Sequence, residues 1–106
     1  MSISTHVLNA MTGRPAAGLR LTLSRRDGDA WHELTWRATD ADGRVTDLAG
    51  DVEAGVYRIV FETEGYLDGE TFYPEVVVVF RVTDPAAHHH VPLLLSPFAY
   101  STYRGS

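Results

Sequence analysis

The chain has no cysteine and no lysine; all nine of its basic residues are arginine. The first absence removes disulfide scaffolding, thiolate metal sites and cysteine nucleophiles. The second removes Schiff-base chemistry. An excess of positive charge is missing as well. Fourteen acidic residues against nine arginines leave a net charge of -5, the wrong sign for a nucleic-acid surface. No apolar run approaches the roughly 18 residues that cross a bilayer. Met1-Ser2-Ile3-Ser4-Thr5-His6 has neither the basic region nor the apolar stretch of a secretory leader. Arg104-Gly105-Ser106 is not a peroxisomal address. These features point to a cytoplasmic protein with neither membrane nor nucleic acid as partner. Any hydrolytic chemistry must come from histidine, serine or threonine, a carboxylate, or water.

What is present is β-patterned. A length of 106 residues predicts one domain, residues 1–106, around one core. Short β-rich runs broken by Gly, Asp and Pro predict strands near 3–9, 19–26, 31–39, 44–48, 56–62, 75–83, 88–96 and 98–103, an all-β sandwich or barrel. In Leu19-Arg20-Leu21-Thr22-Leu23-Ser24 the leucines share one face. Val76 to Phe80 is continuously apolar, which predicts a central strand. Arg26-Asp27-Gly28-Asp29 and Asp40-Ala41-Asp42-Gly43 read as turns. The second is no calcium loop, because glycine comes fourth rather than sixth and no glutamate closes a twelve-residue frame. Residues 63–68 predict the one short helix, with Thr63 as its cap.

Three of the five histidines are consecutive: His88-His89-His90. On a strand, His88 and His90 face one side and His89 the other. His6 shares its face with Ser4 and Leu8. Taken singly, each is bland: His6 as a surface or core residue, the His-x-His pair as solvated, metal-ligating or catalytic, Arg44 as a solvated charge after a turn. Trp31, Trp36 and Phe61 read as core or interface, and His32 has no assigned role. The end of the chain is less ordinary. From Ser96 to Ser106 it is rich in aromatics and hydroxyls, where a free tail is usually polar and flexible; it reads as a strand running to the last residues.

Four motifs, in order, resemble those of the transthyretin-related 5-hydroxyisourate hydrolases. They are Ser4-Thr5-His6-Val7-Leu8, Thr39-Asp40-Ala41-Asp42-Gly43-Arg44-Val45, Phe72-Tyr73-Pro74-Glu75-Val76, and His88-His89-His90-Val91-Pro92-Leu93-Leu94-Leu95-Ser96-Pro97 leading to Tyr103-Arg104-Gly105-Ser106. The resemblance implies a transthyretin-like sandwich of two four-stranded sheets with one short helix, assembled as a homotetramer, a dimer of dimers. It implies His6, His90, Arg44 and Ser106 as catalytic residues. It implies substrate contacts from Arg44, Ser101, Tyr103, Arg104, Gly105 and Ser106, with no metal and no cofactor. The implied substrate is 5-hydroxyisourate, opened at a ring amide to 2-oxo-4-hydroxy-4-carboxy-5-ureidoimidazoline. His89 departs from the family, which usually has tyrosine there.

The residue types fit that chemistry. Water must be aimed at a carbonyl by a base that titrates near neutrality, and histidine is the side chain that does so. Arginine supplies a planar, always-charged donor fork. Three other readings compete. The central Thr39–Val45 pattern also occurs in non-catalytic prealbumin-like modules, a transthyretin-like carrier would use the same fold for an apolar cargo, and the histidines could form a zinc hydrolase. His6, Arg44 and His90 argue against the first two, because a module has no use for them and a carrier channel needs apolar walls.

Overall fold

The computed structural model describes residues 2–106. Period-two alternation builds both layers. Leu21 and Leu23 of Arg20–Asp27 (β3), with Leu19 just ahead, are fully buried, and the residues between them face outward. The same logic sets Tyr57, Ile59 and Phe61 of Gly55–Phe61 (β6) against the core. These strands pair antiparallel, with Ala30–Ala38 (β4) on one side and Val76–Val82 (β7) on the other, in the order β4-β3-β6-β7.

The second sheet is organised around Ser2–Asn9 (β1). On one side β1 runs parallel to His88–Leu95 (β8), in register from Ser2↔His88 to Asn9↔Leu95. On the other it pairs antiparallel with Arg44–Ala49 (β5), and near its end with Arg14–Pro15 (β2). Tyr100–Thr102 (β9) closes the far edge against β8. The resemblance implied four strands here; the two-residue β2 is the addition. A parallel pair needs a long crossover, and the whole β3–β7 sheet is threaded between β1 and β8. Ile3, Val7, Val91, Leu93 and Leu95 then meet Leu21, Leu23, Ile59, Phe61 and Val76 across the sandwich. Each such side chain contributes about 1.5–3 kcal/mol on burial.

Four expectations need correction. Val76–Phe80 is not central: β7 is the edge of its sheet, and Val77 and Val79 are 41% and 54% exposed. A run apolar on both faces does not reveal whether its free side is covered by its own chain. The helix spans Thr63–Tyr66 (α1), but Thr63 does not cap it; its hydroxyl donates to the Tyr73 carbonyl at 2.6 Å, tying the helix to the following loop. For Trp31 and Trp36, read as core or interface, the core half of the reading fails. They lie on the outer face of β4, under the guanidinium groups of Arg58 and Arg20 at 4.6 and 4.1 Å, an arrangement in which an exposed ring gains from a nearby cation. The last strand stops at Thr102, and the chain regains pairing only at a bridge from Gly105 to His90.

The Asp40–Gly43 turn forms as read. The Asp40 carboxylate accepts from the amides of Asp42 and Arg44 at 2.9 and 3.0 Å, which fixes the chain as it enters β5. Gly43 adopts φ of 73°, and its carbonyl accepts from the Val7 amide at 2.7 Å. A Cβ at this position would stand 2.5 Å from the Val7 carbonyl oxygen. Gly43→Ala therefore combines a disfavoured φ with a backbone clash and is expected to lower stability by about 2–3 kcal/mol. Gly50→Ala, where a Cβ meets nothing within 4 Å, serves as control and changes urea-unfolding stability by less than about 0.5 kcal/mol. Equal midpoints for the two variants would contradict this account.

Candidate active site

Register determines which side chains meet. Because β1 and β8 are parallel and in phase, the outward residues Ser2, Ser4 and His6 lie beside His88, His90 and Pro92. On the other flank of β1, His6 is paired with Arg44. His6, Arg44 and His90, from three separate parts of the sequence, thus occupy one outer face of one sheet. Ser4, Thr5, Arg44, Thr46, His88, His90 and Ser106 line a concavity of about 250 Å³ there. His6 is not among its walls, but it lies near enough to act on the charge of His90.

Hydrogen bonds fix the imidazoles. Ser4 Oγ lies 2.7 Å from His90 Nδ1 and 2.8 Å from His88 Nε2, and Ser2 Oγ lies 2.6 Å from His88 Nδ1. The two rings stack at 6.4 Å, nearly parallel. With Nδ1 held by Ser4, His90 is left with Nε2 to act in the concavity. Burial lowers the pKa of His90 below the ordinary 6.5, and the positive charge of Arg44, then His88 and His6, lowers it further. A neutral imidazole at neutral pH is the form that can accept a proton.

The tail reaches this site through its last two residues. The Gly105 amide donates to the His90 carbonyl at 2.9 Å. A Cβ on Gly105 would stand 2.4 Å from Cδ2 of the His90 ring, so only glycine allows the backbone to lie this close. That contact delivers Ser106 to the concavity. Tyr103 and Arg104 do not line it: with His89 they line a second hollow of about 310 Å³ beside β7, whose wall His90 shares. Ser101 pairs with Leu94 on β9 and lines neither hollow. His89 points inward, as alternation requires, and is 5% exposed. Burial lowers its pKa, Arg104 adds to the effect, and the Ala87 backbone opposes it. Among the described residues, no three His, Asp or Glu side chains form a group able to hold a metal ion.

Ser4 had no role on the sequence reading, and His88 was weighed only within the His-x-His pair, as solvated, metal-ligating or catalytic. Alternation put Ser4 on the His6 face and His88 on the His90 face, but which faces adjoin is a property of the pairing.

The sequence pattern of the HIUase/Transthyretin family matches residues 3–105. The chain belongs to that family. A 5-hydroxyisourate hydrolase of Mus musculus is 45% identical over 111 residues, covering 98% of this chain and 94% of that protein. The structure of Klebsiella pneumoniae 5-hydroxyisourate hydrolase superposes with a TM-score of 0.87 at 35% identity, covering all of both chains. Sea bream transthyretin in complex with thyroxine superposes with a TM-score of 0.92 at 32% identity, covering 99% of this chain and 95% of that one. The backbone thus superposes closely on both an enzyme and a thyroxine-bound protein, slightly better on the latter, so the side chains on the outer face of β1, β5 and β8 have to distinguish them.

Arg44→Gln tests the electrostatics of that face. Removing a cation relieves the penalty on imidazolium, so the pKa of His90 is expected to rise toward 6.5. Histidine NMR titration reads it, and a His90 midpoint unmoved by the substitution would contradict the assignment.

Proposed function

We propose that this protein is a 5-hydroxyisourate hydrolase of purine degradation, a cytoplasmic single-domain enzyme (residues 1–106) that needs no cofactor. The observation that carries the reading is the convergence of His6, Arg44 and His90, with Ser106, on one polar outer face. A thyroxine-type cargo would instead need apolar walls.

The reaction is hydrolysis of a cyclic amide. His90, kept neutral by burial and by Arg44, takes a proton from water through Nε2 as the water oxygen bonds to the ring carbonyl carbon. The carbonyl oxygen becomes an oxyanion. Arg44 is placed to hold the electron-rich edge of the substrate and to donate to that oxygen. The C–N bond then breaks, the nitrogen takes a proton, and the product carboxylic acid ionises to solvent. His6 and His90 share the acid and base roles. Ser106 closes one wall of the concavity and Gly105 sets its position there; Ser101, Tyr103 and Arg104 lie outside that hollow and are assigned no contact in it.

The reading includes a homotetramer, a dimer of dimers. Two features support it. The edge strand β7 presents Val77 and Val79 to solvent, and the concavity is a surface hollow that a second copy facing this sheet would deepen into a channel.

The decisive assay generates 5-hydroxyisourate with urate oxidase and follows its ultraviolet absorbance with and without the protein. Accelerated decay is expected, and decay at the buffer rate would reject the enzyme reading. His6→Ala, His90→Ala and Arg44→Ala are each expected to lower kcat/KM by about 10²–10⁴-fold with little change in Tm. Since a depressed pKa leaves the base ready at lower pH, the acid limb of kcat/KM should fall below pH 6.5.

A further inference from the structure

The hydrogen bonds behind His90 form a continuous chain: His90 Nδ1, Ser4 Oγ, His88 Nε2, His88 Nδ1, Ser2 Oγ. Each hydroxyl has one proton and each neutral imidazole has one, so the chain admits two complete arrangements. In the first, His90 Nδ1–H donates to Ser4, Ser4 donates to His88 Nε2, and His88 Nδ1–H donates to Ser2. His90 Nε2 then bears a lone pair and is a base. In the second every bond is reversed: Ser2 donates to His88 Nδ1, His88 Nε2–H to Ser4, and Ser4 to His90 Nδ1. His90 Nε2 then bears the proton and is an acid. Ser4 is buried while His88 is exposed, so the chain runs from a sheltered ring to solvent.

We propose that Ser4 and His88, with Ser2 at the outer end, form a proton relay that lets His90 gain or lose a proton at Nε2 while its ring stays neutral. The proposal rests on the hydrolase reading for its use, though not for its existence. When Nε2 takes a proton from water, the Nδ1 proton passes to Ser4, the Ser4 proton passes to His88 Nε2, and His88 releases its Nδ1 proton through Ser2 to solvent. One proton enters and one leaves. When Nε2 gives its proton to the departing ring nitrogen, the same hops run backward and one proton returns from solvent. The advantage is electrostatic. Arg44 and His6 face His90 from β5 and β1, and the ring is partly buried, so a full imidazolium is disfavoured there; shedding the second proton as the first arrives avoids it. Thr46 and Ser106 are further polar residues lining this concavity.

Two measurements on the full chain test the relay. Histidine ¹⁵N NMR needs no substrate. In the wild type the His90 nitrogens should show shifts averaged between the two tautomers, and in Ser4→Ala they should move to those of a single tautomer. Identical His90 shifts in both proteins overturn the relay, whatever the protein is later found to hydrolyse. Kinetics give the second reading. Ser4→Ala and His88→Gln should each lower kcat on the order of 10²-fold, the low end of a proton-transfer contribution, with KM changed less than about twofold. His88→Gln keeps an amide able to hold the Ser4 hydroxyl but passes no proton, so a His88→Gln enzyme at wild-type kcat overturns the proposal. The NMR spectra of the same samples report that each variant is folded.

Discussion

The parallel pairing of β1 with β8 is the contact on which the rest depends. It joins residues more than 80 apart in the sequence through eight in-register pairs, Ser2↔His88 to Asn9↔Leu95. Because side chains alternate with a period of two, a one-residue slip would send His88 and His90 into the core and His89 out. The apolar inner face guards against that slip. Ile3 and Val7 of β1 and Val91, Leu93 and Leu95 of β8 all lie in the core, so the site on one face is positioned by the packing of the other. Thr5 adds a specific pin, donating from a buried hydroxyl to the Val91 carbonyl at 2.6 Å.

That arrangement lets an open site behave as a partly dry one. His90 is backed by Ser4 and covered along its edge by the Gly105 backbone, and its charged form is disfavoured by burial before any neighbour is counted. Arg44 reinforces the effect from the opposite flank of β1, held there by a turn whose Asp40 carboxylate binds the Arg44 amide itself. Backbone capping, strand register and side-chain electrostatics therefore act on the same imidazole.

Much of this was legible in the sequence, unevenly and for identifiable reasons. Strands announced by alternation, such as β3 with Leu19, Leu21 and Leu23, and turns announced by Asp and Gly were readable because their causes are local. The grouping of His6, Arg44 and His90 was not readable from spacing; only the resemblance of four motifs to a known family placed them together. The contact of Ser4 with His88 and His90 was not foreseen, because a serine and an exposed histidine are ordinary strand residues until pairing sets one against the other. The role of β7 was misjudged for a complementary reason. Hydrophobicity on both faces of a strand shows that it avoids water, and says nothing about which molecule covers it.

The run Val76-Val77-Val78-Val79-Phe80 at a free sheet edge, with Val77 and Val79 turned to solvent, also bears on how the polypeptide avoids aggregation. A bare edge of consecutive β-branched residues with no proline is a template for uncontrolled strand addition, the first step toward amyloid. Charge guards both ends, where Glu75 precedes Val76 and Arg81 follows Phe80. Such flanking charges act as gatekeepers, tolerating orderly pairing while penalising an indefinite stack of like charges.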